Sequence, residues 1–167
     1  MKLSNRTLEK LRIIINGDDT ASYRKGYQLV SFFNELGFQD VYGQGFPSRW
    51  VYTDDRLQKI NGTPELDKCI RKALDDMRLS FELLVKDLLG NDKSLENQIA
   101  LLGGMLKDTE ASVELRNMVT QVIKYYTDFQ NNHVKHNDKV NSNEIEYVIE
   151  LTSVVMKFLI KISGGTN

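Results

Sequence analysis

Apolar residues recur along most of this chain at steps of three and four, the spacing that lines one face of an α-helix. Leu8, Leu11 and Ile15 mark the first stripe, with Ser4 placed to cap it and Asn16-Gly17 to stop it, which predicts a helix from Asn5 to Ile15. Leu29, Phe32, Phe33 and Leu36 predict a second helix over 24–36, closed by Gly37 in a left-handed conformation. Helical spacing then lapses. Tyr42, Gly43, Gly45, Phe46, Pro47 and Trp50 follow closely, a loop in which glycines permit unusual backbone angles and aromatic rings act as anchors. Asp40-Val41-Tyr42 and Trp50-Val51-Tyr52 are the only short strand candidates. Thr53 is placed to cap a short helix that runs through Ile60 and ends at Asn61-Gly62.

Thr63-Pro64 is a strong helix start, a hydroxyl cap followed by proline at the first helical position. From there Leu66, Ile70, Ala73, Met77, Phe81, Leu84 and Leu88 form one stripe. About 26 residues at roughly 1.5 Å each would span ~39 Å. Gly90-Asn91 ends this helix, and Ser94 caps the next, which carries Leu95, Ile99, Leu102 and Leu106. Gly103-Gly104 weakens it by about 1 kcal/mol per glycine relative to alanine. A further long helix from Ser112 to beyond Asn132 carries Leu115, Val119, Val122, Tyr126 and Phe129. After a polar turn over 137–143, Asn143 and Glu146 have capping-box spacing for a last helix. That helix carries Ile145, Val148, Ile149, Val155, Met156, Leu159 and Ile162, and stops at Gly164-Gly165. The expected fold is all-α: a small helical N-terminal domain over residues 1–62, followed by a four-helix bundle over residues 63–167.

With 41% hydrophobic and 27% charged residues in 167, the chain can build a core, which excludes intrinsic disorder as its class. Lys+Arg number 22 against 23 Asp+Glu, a formal net charge of −1 that argues against salt-driven coating of nucleic acid and leaves room for a local RNA site. No window approaches roughly 18 consecutive apolar residues, so no membrane contact is expected. The first residues lack the apolar stretch of a signal peptide, and the single cysteine, Cys69, cannot form an internal disulfide. Both point to a reducing cytoplasm. On its long helix Cys69 reads as a small buried hydrophobe.

Both histidines fall in one segment, Phe129-Gln130-Asn131-Asn132-His133-Val134-Lys135-His136-Asn137-Asp138. On a continued α-helix Phe129, Asn132 and His136 share a face, so polar groups replace apolar ones at the end of the buried stripe. Such a break in an otherwise consistent pattern marks either a functional site or a set of helix-end caps. His133 and His136 have a spacing that can ligate metal, but no cysteine is near and Asp138 is the only nearby acid, so no metal or other cofactor is expected. The residues suit metal-independent cleavage of RNA. His136 would take the proton of a ribose 2′-hydroxyl, while Asn131, Asn132 and Lys135 would contact phosphate or ribose, with His133 a further ligand contact. The aromatic loop also has two readings. Arg49 and Trp50 would stack on a base and contact phosphate. In the other, Phe46 and Trp50 wedge the loop against its helices and Arg49 is an exposed cap residue or pairs with Asp54 or Asp55.

The segment Asn131-Asn132-His133-Val134-Lys135-His136, near the end of one bundle helix and followed by another, resembles the motif of the HEPN superfamily. There an arginine precedes Asn, His or Asp, with a histidine a few residues on. Asn132 matches the polar position, His136 the catalytic histidine, and Asn131 stands where the family has arginine. Over residues 70–165 the resemblance implies an endoribonuclease of toxin–antitoxin, CRISPR or abortive-infection systems, working as a homodimer whose two motifs meet in a shared cleft. HEPN proteins that lack the full motif are noncatalytic dimerisation or ligand-binding modules, so whether the chain is an enzyme stays open. Tyr42-Gly43-Gln44-Gly45-Phe46-Pro47-Ser48-Arg49-Trp50, followed by Asn61-Gly62-Thr63-Pro64-Glu65-Leu66, is similar to the N-terminal domain of AbiJ-type abortive-infection proteins, over residues 3–75. Together the two resemblances imply bacterial defence against phage, with RNA and a protein partner such as a neutralising antitoxin among the expected contacts.

Overall fold

The three-dimensional structure is a computed structural model describing residues 1–18, 23–134 and 142–164, which hold seven α-helices and no strand. Helix α1 (Asn5–Asn16) begins where Ser4 Oγ accepts from the Thr7 amide at 3.2 Å and ends at Gly17, whose φ of 68° suits glycine. Its buried face holds Leu8, Leu11, Ile14 and Ile15.

Helix α2 (Gly26–Asn34) starts later than its stripe predicts. Arg24 is drawn away from the helix because its guanidinium donates to the Ile15 carbonyl and to Asp76 Oδ2, both at 2.6 Å. The Lys25 amide is instead satisfied by Gln28 Oε1 at 2.8 Å. Helix α3 (Arg49–Ile60) starts earlier than expected, with Ser48 Oγ accepting from the Val51 amide at 3.3 Å. Trp50-Val51-Tyr52 is therefore helical, and Thr53 lies inside the helix, where its hydroxyl donates to the buried Asn16 Oδ1 at 2.7 Å.

Helix α4 (Pro64–Leu89) has the 26 residues its stripe implies, though Val85 takes the fully buried place and Leu84 and Leu88 are only half-buried. A 3-10 turn, Leu95–Gln98, leads into α5 (Ile99–Asp108). Helix α6 (Val113–Phe129) is capped by Ser112, and the chain from Gln130 to Val134 is wound as a wider π-type turn. Helix α7 (Ser142–Gly164) already includes Asn143, which is thus not its cap.

Two cores result. One unit, Met1–Met77, buries Leu11, Ile15, Leu29, Phe33, Leu57 and Leu66, with α1 and α2 both packed on α3. The other takes up the chain from Arg78 and buries Phe81, Leu102, Tyr126, Val148 and Leu159, with α5 packed on α6. Each such fully buried side chain contributes roughly 1.5–3 kcal/mol. Among the described residues no helix is long and apolar enough to cross a membrane.

Candidate functional site

The aromatic loop between α2 and α3 is pinned at Asp40. Asn34 brackets that residue's backbone, with Nδ2 donating to its carbonyl at 3.0 Å and Oδ1 accepting from its amide at 2.9 Å. The Asp40 carboxylate in turn accepts two hydrogen bonds from Arg56, from Nε at 2.6 Å and Nη2 at 2.7 Å, and one from the Tyr52 hydroxyl at 2.7 Å. This fork-on-carboxylate geometry is the strong kind. The Arg56 hydrogen bonds hold the Asp40 carboxyl below its usual range, and Asp40 in turn raises the Arg56 pKa. Burial, followed by the bond to Asp40, raises that of the Tyr52 phenol. At neutral pH the trio is therefore carboxylate, guanidinium and protonated phenol.

Further along, the Phe46 ring packs on Tyr52 at 4.7 Å and on Tyr42 at 4.8 Å between centroids. Tyr42 lies so close to the first turn of α2 that a Cβ on Gly26 would fall 2.4 Å from its Cε2 atom. Here glycine is required by a close approach of a ring rather than by its backbone angle.

The loop separates two clefts within the Met1–Met77 unit. One, of about 620 Å³, is lined among others by Asp40, Gly43, Phe46, Tyr52, Asp55 and Arg56. The other, of about 610 Å³, is lined among others by Tyr23, Lys25, Tyr27, Tyr42, Phe46 and Ser48. Both are of the size that holds a small organic ligand.

Arg49, singled out from the sequence as a ligand contact, is the first residue of α3, and its guanidinium is engaged by the chain itself. Nη1 donates to the Arg24 carbonyl at 2.6 Å and the Asn16 carbonyl at 3.2 Å, Nη2 pairs with Asp18, and the guanidinium stacks on Tyr23 at 3.7 Å. Its acidic partner is Asp18 rather than Asp54, which pairs with Arg12, or Asp55, which pairs with Arg56 and Lys59. Trp50 sits on the exposed side of α3 with the Arg12 guanidinium 4.6 Å above its ring, so Phe46, and not Trp50, packs the loop.

At the end of α6 the buried stripe closes with Phe129. Gln130 is buried and its Nε2 donates to the Tyr126 hydroxyl at 3.0 Å, Asn131 is half-buried, and Asn132 is exposed. The π-type winding explains why Asn132 leaves the face of Phe129. Each π turn takes up more residues than an α turn, so steps of three and four no longer track one stripe. The backbone of His133 belongs to this turn. Lys135 and His136 lie outside the described residues.

Tyr23, Tyr27, Asp40 and Arg56 were not singled out from the sequence. For Tyr23 and Tyr27 their four-residue spacing beside the aromatic loop was the one available signal, and for Asp40 and Arg56 there was none. Among the described residues no three His, Cys, Asp or Glu side chains gather into a metal-ligating group. Compared with models of protein families, with curated proteins and with solved structures, the chain matches none.

Proposed function

We propose that this chain is a HEPN-type protein of bacterial phage defence, its N-terminal unit of the AbiJ type, in which the end of α6 and the segment following it contact RNA within a homodimer. His136 acts as the base. A neutral imidazole removes the ribose 2′-hydroxyl proton, the resulting alkoxide attacks the neighbouring phosphorus, and the P–O5′ bond breaks, leaving a 2′,3′-cyclic phosphate and a 5′-oxygen that takes up a proton from water, while amide and ammonium donors from Asn131, Asn132 and Lys135 stabilise the charge on the phosphate oxygens. The observation that carries this reading is the change of winding at Gln130, where the apolar stripe gives way to Asn131 and Asn132. π-type turns inside helices occur frequently at functional sites. The order and lengths of α4 to α7 fit a HEPN-like four-helix bundle.

A second reading, a noncatalytic HEPN module that dimerises and senses a ligand, is favoured by Asn131. A neutral amide at the family's arginine position supplies no cation for a phosphate and leaves Lys135 to do so. Total cellular RNA incubated with a chelator and the full chain separates the two. Cleavage by the wild type that falls by about 100-fold or more in His136→Ala supports the enzyme. Equal cleavage by both, or none by either, removes His136 as catalyst and leaves the noncatalytic module.

A further inference from the structure

Three tyrosines keep about half of their surface in solvent around the second cleft: Tyr23 at 58%, Tyr27 at 53% and Tyr42 at 51%. Their rings are nevertheless held in place. Tyr27 meets Tyr42 edge to face at 6.3 Å and 70°, Tyr42 is wedged between Phe46 and Gly26, and Tyr23 is backed by the Arg49 guanidinium. Fixed, wet aromatic faces cost little further ordering when a flat ring is laid on them.

The charges around this cleft are one-sided. Among the described residues no carboxylate lines it. Arg49 is balanced by Asp18, whereas Lys25 is exposed and has no ion-pair partner among the described residues. The cleft across the loop differs, since the charged groups that line it, Asp40, Asp55 and Arg56, are already paired with one another, and Asp55 with Lys59 as well. A planar ring and a negative charge, together small enough for about 610 Å³, are the two features the tyrosine cleft can satisfy at once.

We propose that the Tyr23–Tyr27–Tyr42 cleft binds a nucleotide, its base laid on the tyrosine rings and its phosphate at Lys25. The site belongs to the Met1–Met77 unit and uses no residue between 129 and 138, so it goes beyond the RNA-cleavage reading and stands or falls separately from it. A base with a phosphate can come from a free nucleotide or from a single RNA strand, and the test distinguishes these sources.

The full chain is titrated calorimetrically with each of the four ribonucleoside 5′-monophosphates, with inorganic phosphate, and with a short oligouridylate. Saturable binding below about 1 mM is expected for at least one nucleotide or for the oligonucleotide. Tyr27→Ala weakens it by about tenfold or more, Tyr27→Phe retains it, and Lys25→Glu weakens it and flattens its salt dependence. Tighter binding of the oligonucleotide than of any monophosphate identifies a strand as the source, and the reverse order identifies a free nucleotide. The proposal is overturned if neither kind of probe saturates, if inorganic phosphate binds as tightly as the nucleotides, or if His136→Ala abolishes the binding. Should Tyr27→Ala fail to fold by circular dichroism, Lys25→Glu decides. It reverses an exposed charge without touching the packing, and undiminished affinity in that variant overturns the site.

Discussion

Arg49→Ala separates a structural arginine from a ligand-binding one. The side chain is 17% exposed and its partner Asp18 13%, so the pair is largely withdrawn from water. Truncation removes the donors to the Arg24 and Asn16 carbonyls and leaves the Asp18 carboxylate without its counter-charge. Hydrogen bonds from a charged group contribute about 1.5–3 kcal/mol each, but they are not additive when one side chain makes them all. Breaking a buried pair costs about 3–5 kcal/mol, and the remaining solvent contact puts this one near the lower end, about 3 kcal/mol. Arg49→Lys keeps the charge and loses the fork, so about half of that loss should remain. The assay is urea unfolding followed by circular dichroism, comparing midpoints at equal m-values. A double-mutant cycle with Asp18→Asn should show a coupling of about 1 kcal/mol or more. If Arg49→Ala instead unfolds within about 0.5 kcal/mol of the wild type, the reasoning is refuted. The guanidinium would then be free for a ligand, as the sequence alone allows.

Two further outcomes follow from the ionisable groups. Because the Arg56 hydrogen bonds lower the Asp40 pKa in the folded state, the stability that Asp40 contributes is fully present above its ordinary value of 3.8 and is lost as pH falls through the folded-state value. Asp40→Asn should therefore cost roughly 1–3 kcal/mol at neutral pH and unfold with a shallower acid dependence, and matching acid slopes in the two proteins would contradict the pairing. Cys69 is fully buried, and burial pushes its thiol up to about 12. A chromogenic disulfide reagent near neutral pH should label it only when the chain unfolds; rapid stoichiometric labelling of the native protein would show that this part of α4 is open.

The elements legible in the sequence are those whose signals are local. Pro64 starts α4 and a continuous stripe carries it to Leu89 without any appeal to distant residues. Ser4 with Gly17, and Ser112, likewise delimit α1 and begin α6 through neighbours three to five positions away. The misplaced boundaries have long-range causes. Arg24 is pulled from α2 by Asp76, 52 positions on, and Thr53 is engaged by Asn16, 37 positions back, so that Ser48 caps α3 instead. The end of α6 failed for another reason. A periodicity argument presumes α winding, and nothing in the spacing of Phe129, Asn132 and His136 announces a π-type turn.

The same distinction governs the site. Arg49 stood out because an arginine beside glycines and aromatics is a common ligand contact, yet whether it faces outward is decided by Asn16, Asp18 and Arg24, which its own segment does not specify. Once that guanidinium is satisfied internally, it borders the cleft with its charge balanced by Asp18 and stiffens it by stacking on Tyr23. The loop repeats the arrangement from its other end, where Arg56, itself in the lining of the first cleft, is spent on Asp40 and Asp55. Two arginines adjoin the loop, and each is neutralised by an aspartate. The discrimination between the clefts therefore falls to what is left over, Lys25 at the tyrosine cleft, since the carboxylates of the other cleft are paired with Arg56 and Lys59. Since exposed charges act over about 8–10 Å at physiological ionic strength, an anionic ligand is sorted to the tyrosine side before any ring is stacked.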